Sequence, residues 1–206
     1  MSLKNCSSLY HTIYSYLGYR NLSKDLVIDK LIEESLEEIE KIASFQYIYQ
    51  EFDYLLDFLK QKPYQDYLNG STSYLLVAMT LGALVDKRSK YYEKVDLTRM
   101  FVFDATASAY LEYKSDEFER NLRSDLGYRF CPGYQGTDVK DVRLIYNLLK
   151  ANKIGITLLD SNLMVPQKSM IGVVGINTSQ KRSCKDCFLI EHCDYRKEGL
   201  RCYTTK

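Results

Sequence analysis

The chain has 206 residues, a length that suits one domain with a sizeable buried core. Its residues are 46% hydrophobic and 27% charged, as in ordinary globular proteins, and its formal net charge of +1 excludes a general attraction to nucleic acid or to an anionic membrane. No stretch has the roughly 18 apolar residues of a membrane-spanning helix. Residues 1–6 also lack the apolar run of a signal peptide, so we expect a cytoplasmic protein.

The first element that the pattern predicts clearly is an amphipathic helix. Ser23 is its predicted N-cap, and the helix extends to Ala43. Its acidic face is typical of a solvated surface. The apolar positions that recur at helical spacing, and should therefore face the core, are Ile28, Leu31, Ile32, Leu36, Ile39 and Ile42.

Two strands are predicted next along the chain. Alternating aromatic residues over 45–49 indicate a half-buried strand, and the segment 53–60 is predicted to be helical. The Asn-Gly pair at 69–70 is a turn signal. The uninterrupted apolar run over 74–79 then predicts a buried strand.

The second half of the chain mixes helices and strands. Helices are predicted over 82–95, 97–122 and 138–150, and strands over 154–159 and 170–176. A long loop joins these last two strands, which we predict to be antiparallel. Interspersed helices and antiparallel strands indicate an α+β fold.

A short segment, Arg129-Phe130-Cys131-Pro132-Gly133-Tyr134, is the most informative part of the sequence. Proline and glycine together favour a tight turn just before Tyr134. A guanidinium can hold a carboxylate through two parallel hydrogen bonds, and an aromatic ring attracts planar or cationic groups. The segment therefore suggests a site for a small anion or zwitterion, although a surface turn with an ordinary salt-bridging arginine gives the same pattern.

This region resembles the activation domain of cobalamin-dependent methionine synthase, which carries R-P-A-P-G-Y-P, a helix, and then T-E-S-x-A-M-x-P-x-x-S-x-x-G. The similarity continues more weakly through 80–82 and 104–108, and residues 16–20 look like the start of short, stand-alone members of the family. The positions that match the two motifs are Arg129, Pro132, Gly133 and Tyr134, followed by Asp160, Ser161, Met164, Pro166, Ser169 and Gly172.

The resemblance implies an antiparallel sheet flanked by helices over residues 1–176. Residues 177–206 form a cysteine-rich tail that the methionine synthase domain lacks. It also implies a cofactor site for S-adenosylmethionine. Arg129 would bind the carboxylate of this methyl donor, and the backbone around Cys131 and Pro132 would shape the adenosine pocket. Gly133 would belong to the same cofactor site. Tyr134 would lie between the methyl donor and the corrinoid, and the loop over 160–166 would support the turn. The interpretation of Cys131 that needs no ligand is a small apolar residue in a tight space.

A second group of candidate residues lies on the predicted helix over 97–122. Small side chains over 105–109 allow close packing against the sheet or the close approach of a flat ligand. The resemblance implies that Asp104 lies near the corrinoid. It places Ser108 where the family has a glutamate that contacts the methyl donor. Glu112, one turn further along the same helix face, could partly replace that glutamate.

The tail contains the third group of candidate residues. Four cysteines at short spacing in a cytosolic chain favour a metal site over disulfides. A [4Fe–4S] cluster, a structural zinc ion and free redox thiols all remain open, and His192 is a further candidate zinc ligand. An iron–sulfur cluster here could supply an electron to the corrinoid. The four candidate metal ligands are Cys184, Cys187, Cys193 and Cys202.

The resemblance thus implies an accessory protein that binds S-adenosylmethionine and supports the reductive remethylation of cobalamin. The corrinoid-binding signature D-x-H-x-x-G is absent, so the corrinoid is expected on a partner, such as a methionine synthase without its own activation domain or another corrinoid methyltransferase. Flavodoxin or ferredoxin is a candidate electron donor. The alternative is a non-catalytic metal-binding or sensor protein that associates with a corrinoid protein and has lost methyl-donor binding.

Two other enzyme classes find no support in the sequence. Hydrolase chemistry needs a nucleophile with a base beside it, and His11 and His192 are the only histidines and neither belongs to a triad pattern. A radical S-adenosylmethionine enzyme would need C-x3-C-x2-C, which is absent.

Overall fold

The computed structural model describes residues 7–19, 25–134, 136–177, 191, 194–197 and 199. Its strands are β1 (Gln46–Phe52), β2 (Ser73–Thr80), β3 (Thr157–Leu158), β4 (Met164–Val165) and β5 (Ser169–Ile176). Its α-helices are α1 (Ser7–Tyr16), α2 (Leu26–Ile42), α3 (Tyr64–Leu68), α4 (Ala83–Val95), α5 (Leu97–Leu122), α6 (Asp141–Leu149) and α7 (Asp194–Lys197). Short 3-10 helices span Asp57–Lys60 and Ala151–Ile154.

The central sheet consists of β1, β2 and β5, all antiparallel, with β2 in the middle. In its register, Val77 of β2 lies opposite Tyr49 of β1 and Gly172 of β5. Successive side chains of a strand point to opposite faces, so β2 contributes to two separate cores. Leu75, Val77 and Met79 belong to the first core, and Tyr74, Leu76 and Ala78 belong to the second.

Helices α1, α2, α4 and α5 cover the first face of the sheet. Helix α2 begins where Asp25 accepts hydrogen bonds from the backbone N–H groups of Val27 and Ile28, at 3.0 and 3.2 Å. Asp96 caps α5 in the same way, by accepting from the Arg99 N–H at 3.0 Å. Buried residues of the long helix α5 belong to the same core as Val174 and Ile176 of β5.

The second face is covered by α3, α6 and the two 3-10 helices. Aromatic rings fill much of this core: Phe130 lies 5.4 Å from Tyr64 and 5.0 Å from Tyr67, measured between ring centroids. The Tyr67 hydroxyl donates to the Tyr128 carbonyl oxygen and accepts from the Gly175 N–H. Tyr128 and Phe130 flank Arg129 in the chain. Their contacts with this core therefore fix the start of the segment 129–134.

The predicted α+β class is confirmed, and so are the bounds of the helix over 97–122. The helix expected from Ser23 is α2; Asp25 is its N-cap, and Ser23 lies outside the described residues. The segment predicted to be helical over 53–60 forms only the 3-10 helix Asp57–Lys60. No helix in the described part of the chain is long and apolar enough to cross a membrane.

The strand predicted over 154–159 is formed only over Thr157–Leu158, and it is not a neighbour of the last strand. Ala151–Ile154 is a 3-10 helix, and Gly155, with φ 81°, turns the backbone before β3 begins. Strand β3 has only two residues and pairs with β4, whereas β5 pairs with β2. The division into residues 1–176 and 177–206 stays a prediction, because few residues after Asn177 are described.

Candidate functional site

The segment 129–134 begins as an extra strand beside β5. The Phe130 N–H donates to the Val173 carbonyl and the Val173 N–H donates to the Phe130 carbonyl, each at 2.8 Å. Four residues earlier along the segment, Leu126 forms a second antiparallel bridge, with Ile176. The residues that follow Phe130 therefore head toward the Ser169 end of β5.

Arg129 lies across Gly172 of β5. A Cβ atom added to Gly172 would be 2.8 Å from Cγ of Arg129 and 3.2 Å from the Phe130 carbonyl oxygen. Gly172 faces the same side of the sheet as α5, because its neighbours Ile171 and Val173 belong to the other core. The glycine thus leaves room for the arginine side chain between β5 and α5.

The guanidinium of Arg129 is buried in an ion pair. It donates to the Glu119 carboxylate and, at 3.4 Å, to the Asp116 carboxylate, both on α5. The side chain of Arg129 is 3% exposed and that of Glu119 is 2% exposed. Burial acts to lower the pKa of Arg129, but the acidic groups of Glu119, Cys131 and Asp116 raise it overall. The predicted carboxylate-binding residue is therefore already engaged by carboxylates of this chain.

The turn after Arg129 has a fixed backbone and an exposed ring. Gly133 adopts φ 87°, and its N–H donates to the Thr137 hydroxyl at 2.9 Å. The same hydroxyl donates to the Tyr134 carbonyl at 2.7 Å. Pro132 is buried, whereas the Tyr134 side chain is exposed, with 71% of the residue's surface accessible. The Tyr134 ring is therefore exposed on a turn whose backbone is held by hydrogen bonds.

Two buried tyrosines of α3, Tyr64 and Tyr67, pack against Phe130 at the start of this segment. The Tyr64 hydroxyl donates to the Asp141 carboxylate at 3.0 Å, which joins α3 to α6. Burial, followed by the charge of Asp141, raises the pKa of Tyr64, and burial is also the main cause of the raised pKa of Tyr67. Both rings thus stay neutral and packed under the turn at physiological pH.

A second polar cluster, the Lys168 cluster, consists of Lys168, Asp104 and Ser108. The Lys168 ammonium lies 2.8 Å from an Asp104 carboxylate oxygen and donates to the Ser108 hydroxyl at 2.9 Å. Ser108 in turn donates to the Asp104 carbonyl at 3.1 Å. The structure therefore brings two of the predicted site residues together around a lysine that sequence reasoning missed. The one sequence signal for Lys168 is its position directly before a strand that is buried on both faces.

The loop that carries Lys168 is anchored to the ends of β2 and α4. Asp86 accepts hydrogen bonds from the backbone N–H groups of Gln167 and Lys168, at 2.6 and 3.4 Å. The Ser169 hydroxyl donates to the Thr80 hydroxyl at 2.8 Å. These hydrogen bonds give a structural role to Ser169, the serine of the second motif. They also fix the backbone position of Lys168.

The remaining predicted site residues belong neither to the turn after Arg129 nor to the Lys168 cluster. The Glu112 carboxylate accepts a hydrogen bond from the Tyr16 hydroxyl of α1. The loop over 160–166 contacts α6, where Arg143 donates to the Asn162 side chain at 3.1 Å and to the Leu159 carbonyl at 2.7 Å. The four candidate metal ligands of the tail lie outside the described residues. Within the described part of the chain, no group of three or more His, Cys, Asp and Glu residues could hold a metal ion.

The fold is similar to one of known structure, although the sequence alone finds no relative. No family model matches the sequence, and no curated protein matches it either. Among solved structures, the crystal structure of the MetH reactivation domain bound to AdoHcy is similar, with a TM-score of 0.58 and 15% sequence identity. The match covers 98% of this chain and 85% of that one. The chain therefore has a fold similar to that of the MetH reactivation domain.

Proposed function

We propose that this chain binds S-adenosylmethionine and supports the reductive methylation of a corrinoid held by another protein. The similar fold of a domain crystallised with AdoHcy, the demethylated form of the methyl donor, supports the proposal. The observation that carries it is the segment 129–134. A buried arginine anchors the segment, a hydrogen-bonded turn fixes it, and an exposed Tyr134 ring ends it.

The proposed reaction has two steps on the partner's corrinoid. A one-electron donor, such as flavodoxin or ferredoxin, reduces cob(II)alamin to cob(I)alamin. The cobalt then takes the methyl group from S-adenosylmethionine: the S–CH3 bond breaks, a Co–CH3 bond forms, and the electron pair of the broken bond stays on sulfur to give AdoHcy. The contribution of this chain is to bind the donor and to align its S–CH3 bond with cobalt.

The proposed binding residues belong to the turn after Arg129 and to the Lys168 cluster. Cys131, Pro132 and Gly133 form a wall for the adenosine, because their backbone is fixed and Gly133 carries no side chain. Tyr134 offers its ring face to the sulfonium cation, an attraction of about 0.5–2 kcal/mol for a cation over an aromatic ring. Asp104 and Ser108 lie on α5, where both contact the Lys168 ammonium. In this proposal the role of Arg129 is to hold the turn in place through its ion pair with Glu119.

The partner is proposed to be a methionine synthase that lacks its own reactivation domain, or another corrinoid methyltransferase. An anaerobic absorbance assay tests this. We mix this chain, S-adenosylmethionine, a low-potential reductant and a methionine synthase fragment that carries cob(II)alamin but no reactivation domain. We expect methylcobalamin to form only when both this chain and the methyl donor are present.

Matched tyrosine variants connect that assay to the site. We expect Tyr134→Ala to slow methylcobalamin formation about tenfold, the effect of losing one cation–π contact of about 1.4 kcal/mol. Tyr54→Ala removes another exposed tyrosine, 60% accessible, and should leave the rate unchanged. Equal rates for the wild type and Tyr134→Ala would contradict the assigned role of Tyr134.

A second candidate function is a non-catalytic metal-binding or sensor protein that associates with a corrinoid protein. The specific observation in its favour is that Glu119 and Asp116 already occupy the Arg129 guanidinium. A chain of this kind would bind a corrinoid protein without binding S-adenosylmethionine. Isothermal titration with the methyl donor separates the two functions, because only the first one predicts binding.

A further inference from the structure

The Lys168 cluster has the features of a site for the amino-acid end of a ligand. The ammonium of Lys168 and the carboxylate of Asp104 are 2.8 Å apart, and the Ser108 hydroxyl holds the ammonium from a second side. An ammonium has three N–H donors and a carboxylate has about four acceptor positions, so the contacts described above leave capacity on both groups. The cluster thus presents one positive and one negative group, side by side and already oriented.

The cluster is fixed yet reaches the surface. The Lys168 side chain is only 10% exposed, whereas that of Asp104 is 42% exposed. The backbone of Lys168 is held by Asp86, and its ammonium is held by α5, so little side-chain freedom is left to lose when a ligand binds. A ligand that approaches from the Asp104 side therefore meets a preorganised pair of charges.

Arg129 is a poorer candidate for the same task. Its side chain is 3% exposed, and two of its guanidinium nitrogens donate to Glu119 and Asp116. Adding a third carboxylate there would place three negative groups around one cation in a region of low dielectric constant. Lys168, by contrast, faces one carboxylate and one neutral hydroxyl.

From this geometry we propose that Lys168 binds the carboxylate of S-adenosylmethionine and that Asp104 binds its ammonium group. The proposal rests on the proposed function, because it names the residues that hold the methyl donor. Because the residues after Phe130 run beside β5 toward Ser169, the turn after Arg129 and Lys168, which directly precedes β5, lie toward the same end of this strand. One ligand can therefore have its amino-acid end at Lys168 and its nucleoside at the turn.

A ligand that lacks only the carboxylate tests the assignment. Isothermal titration compares S-adenosylmethionine with decarboxylated S-adenosylmethionine, which keeps the sulfonium, the adenosine and the amino group. We expect the wild type to prefer the complete molecule by about tenfold to a hundredfold, the usual effect of a hydrogen bond to a charged group. In Lys168→Met the preference should disappear. In Lys168→Arg, which keeps the positive charge, most of it should remain.

The control is Lys60→Met. Lys60 also donates to an aspartate, Asp57, at 2.7 Å, but it is well exposed on a 3-10 helix at the other face of the sheet. This variant should keep the wild-type preference. The ratio of the two affinities within one variant is the readout, so a general loss of stability in Lys168→Met does not produce the expected result.

Each other outcome identifies what is wrong. Lys168→Met that keeps the preference would overturn the assignment of Lys168. A wild type that binds both ligands equally tightly would overturn it as well, without any variant. A wild type that binds neither ligand would instead contradict the proposed function itself.

Discussion

Arg129 and Gly172 form one structural unit: the arginine side chain occupies the space that any side chain at residue 172 would need, with 2.8 Å between a built Cβ and Cγ of Arg129. The two residues come from the two sequence motifs, 43 positions apart in the chain. Their contact places the segment 129–134 against β5 and directs the guanidinium toward α5. The glycine of the second motif thus has a role in packing the arginine of the first.

Gly172→Ala should destabilise the protein. The new methyl group must displace either the Arg129 side chain or the Phe130 carbonyl, which lies 3.2 Å away, and overpacking of this kind costs about 1–3 kcal/mol. The free energy of unfolding in urea measures the effect. A variant as stable as the wild type would show that the arginine can move aside at no cost.

The Arg129–Glu119 pair gives a second prediction, about single and double substitutions. Arg129→Met alone leaves the buried Glu119 carboxylate without its main cation and should cost about 3–5 kcal/mol of unfolding free energy. Glu119→Met alone should also destabilise. The double variant should recover most of the loss, because two apolar side chains of similar length can replace a buried ion pair.

A double-mutant cycle in urea measures this coupling. Additive losses, with the double variant as unstable as the sum of the single ones, would mean that the two residues contribute independently.

Tyrosine ionisation should limit the stability of the fold at high pH. Among the residues that the structure describes, burial raises the pKa of seven tyrosines, and for Tyr110 the pKa rises from 10.0 to about 12. A folded pKa above the unfolded one means that the stabilisation is complete below about pH 10 and is lost as the pH rises through the folded values. The seven residues are Tyr10, Tyr14, Tyr64, Tyr67, Tyr74, Tyr92 and Tyr110.

Absorbance of the tyrosinate ion near 295 nm measures this titration in the folded protein and in urea. We expect part of the folded signal to appear only above pH 10, together with unfolding, and the unfolded signal to appear in one ordinary step. Identical titration curves in the two states would contradict the burial of these hydroxyl groups.

The cysteines of the tail give a fourth prediction, which follows from the sequence alone. Protein purified without oxygen should contain iron and sulfide and absorb broadly in the visible range, if Cys184, Cys187, Cys193 and Cys202 hold a [4Fe–4S] cluster. Zinc found by metal analysis would identify the alternative site. Substitution of the four residues by serine is the control and should remove the metal. Metal-free wild-type protein would show that the prediction of a metal site is wrong.

The sequence predicted those elements whose local signals agree with their packing. Helix α5 has an aspartate cap and 26 helical residues, and its bounds were predicted correctly. Strand β2 is buried on both faces, and its apolar run predicted a buried strand. The strand predicted over 154–159 was too long because Ile154 ends a 3-10 helix and Gly155, with φ 81°, turns the backbone before Thr157.

The candidate site was predictable only in part, because its contacts join distant positions. The motif around Arg129 indicated a binding residue, but the partner that buries its guanidinium, Glu119, lies on the preceding helix. Asp104 and Ser108 were predicted as site residues, whereas Lys168 comes from a loop 60 residues after Ser108. A sequence pattern shows residue types and spacing, and tertiary packing decides which charges neutralise each other.

The measurement that tests the central claim most directly is isothermal titration of the wild-type protein with S-adenosylmethionine, under anaerobic conditions. The account predicts saturable binding of one molecule per chain, which AdoHcy added beforehand should compete away. No binding by folded protein, as established by a cooperative urea transition of the same sample, would contradict the claim that this chain holds the methyl donor.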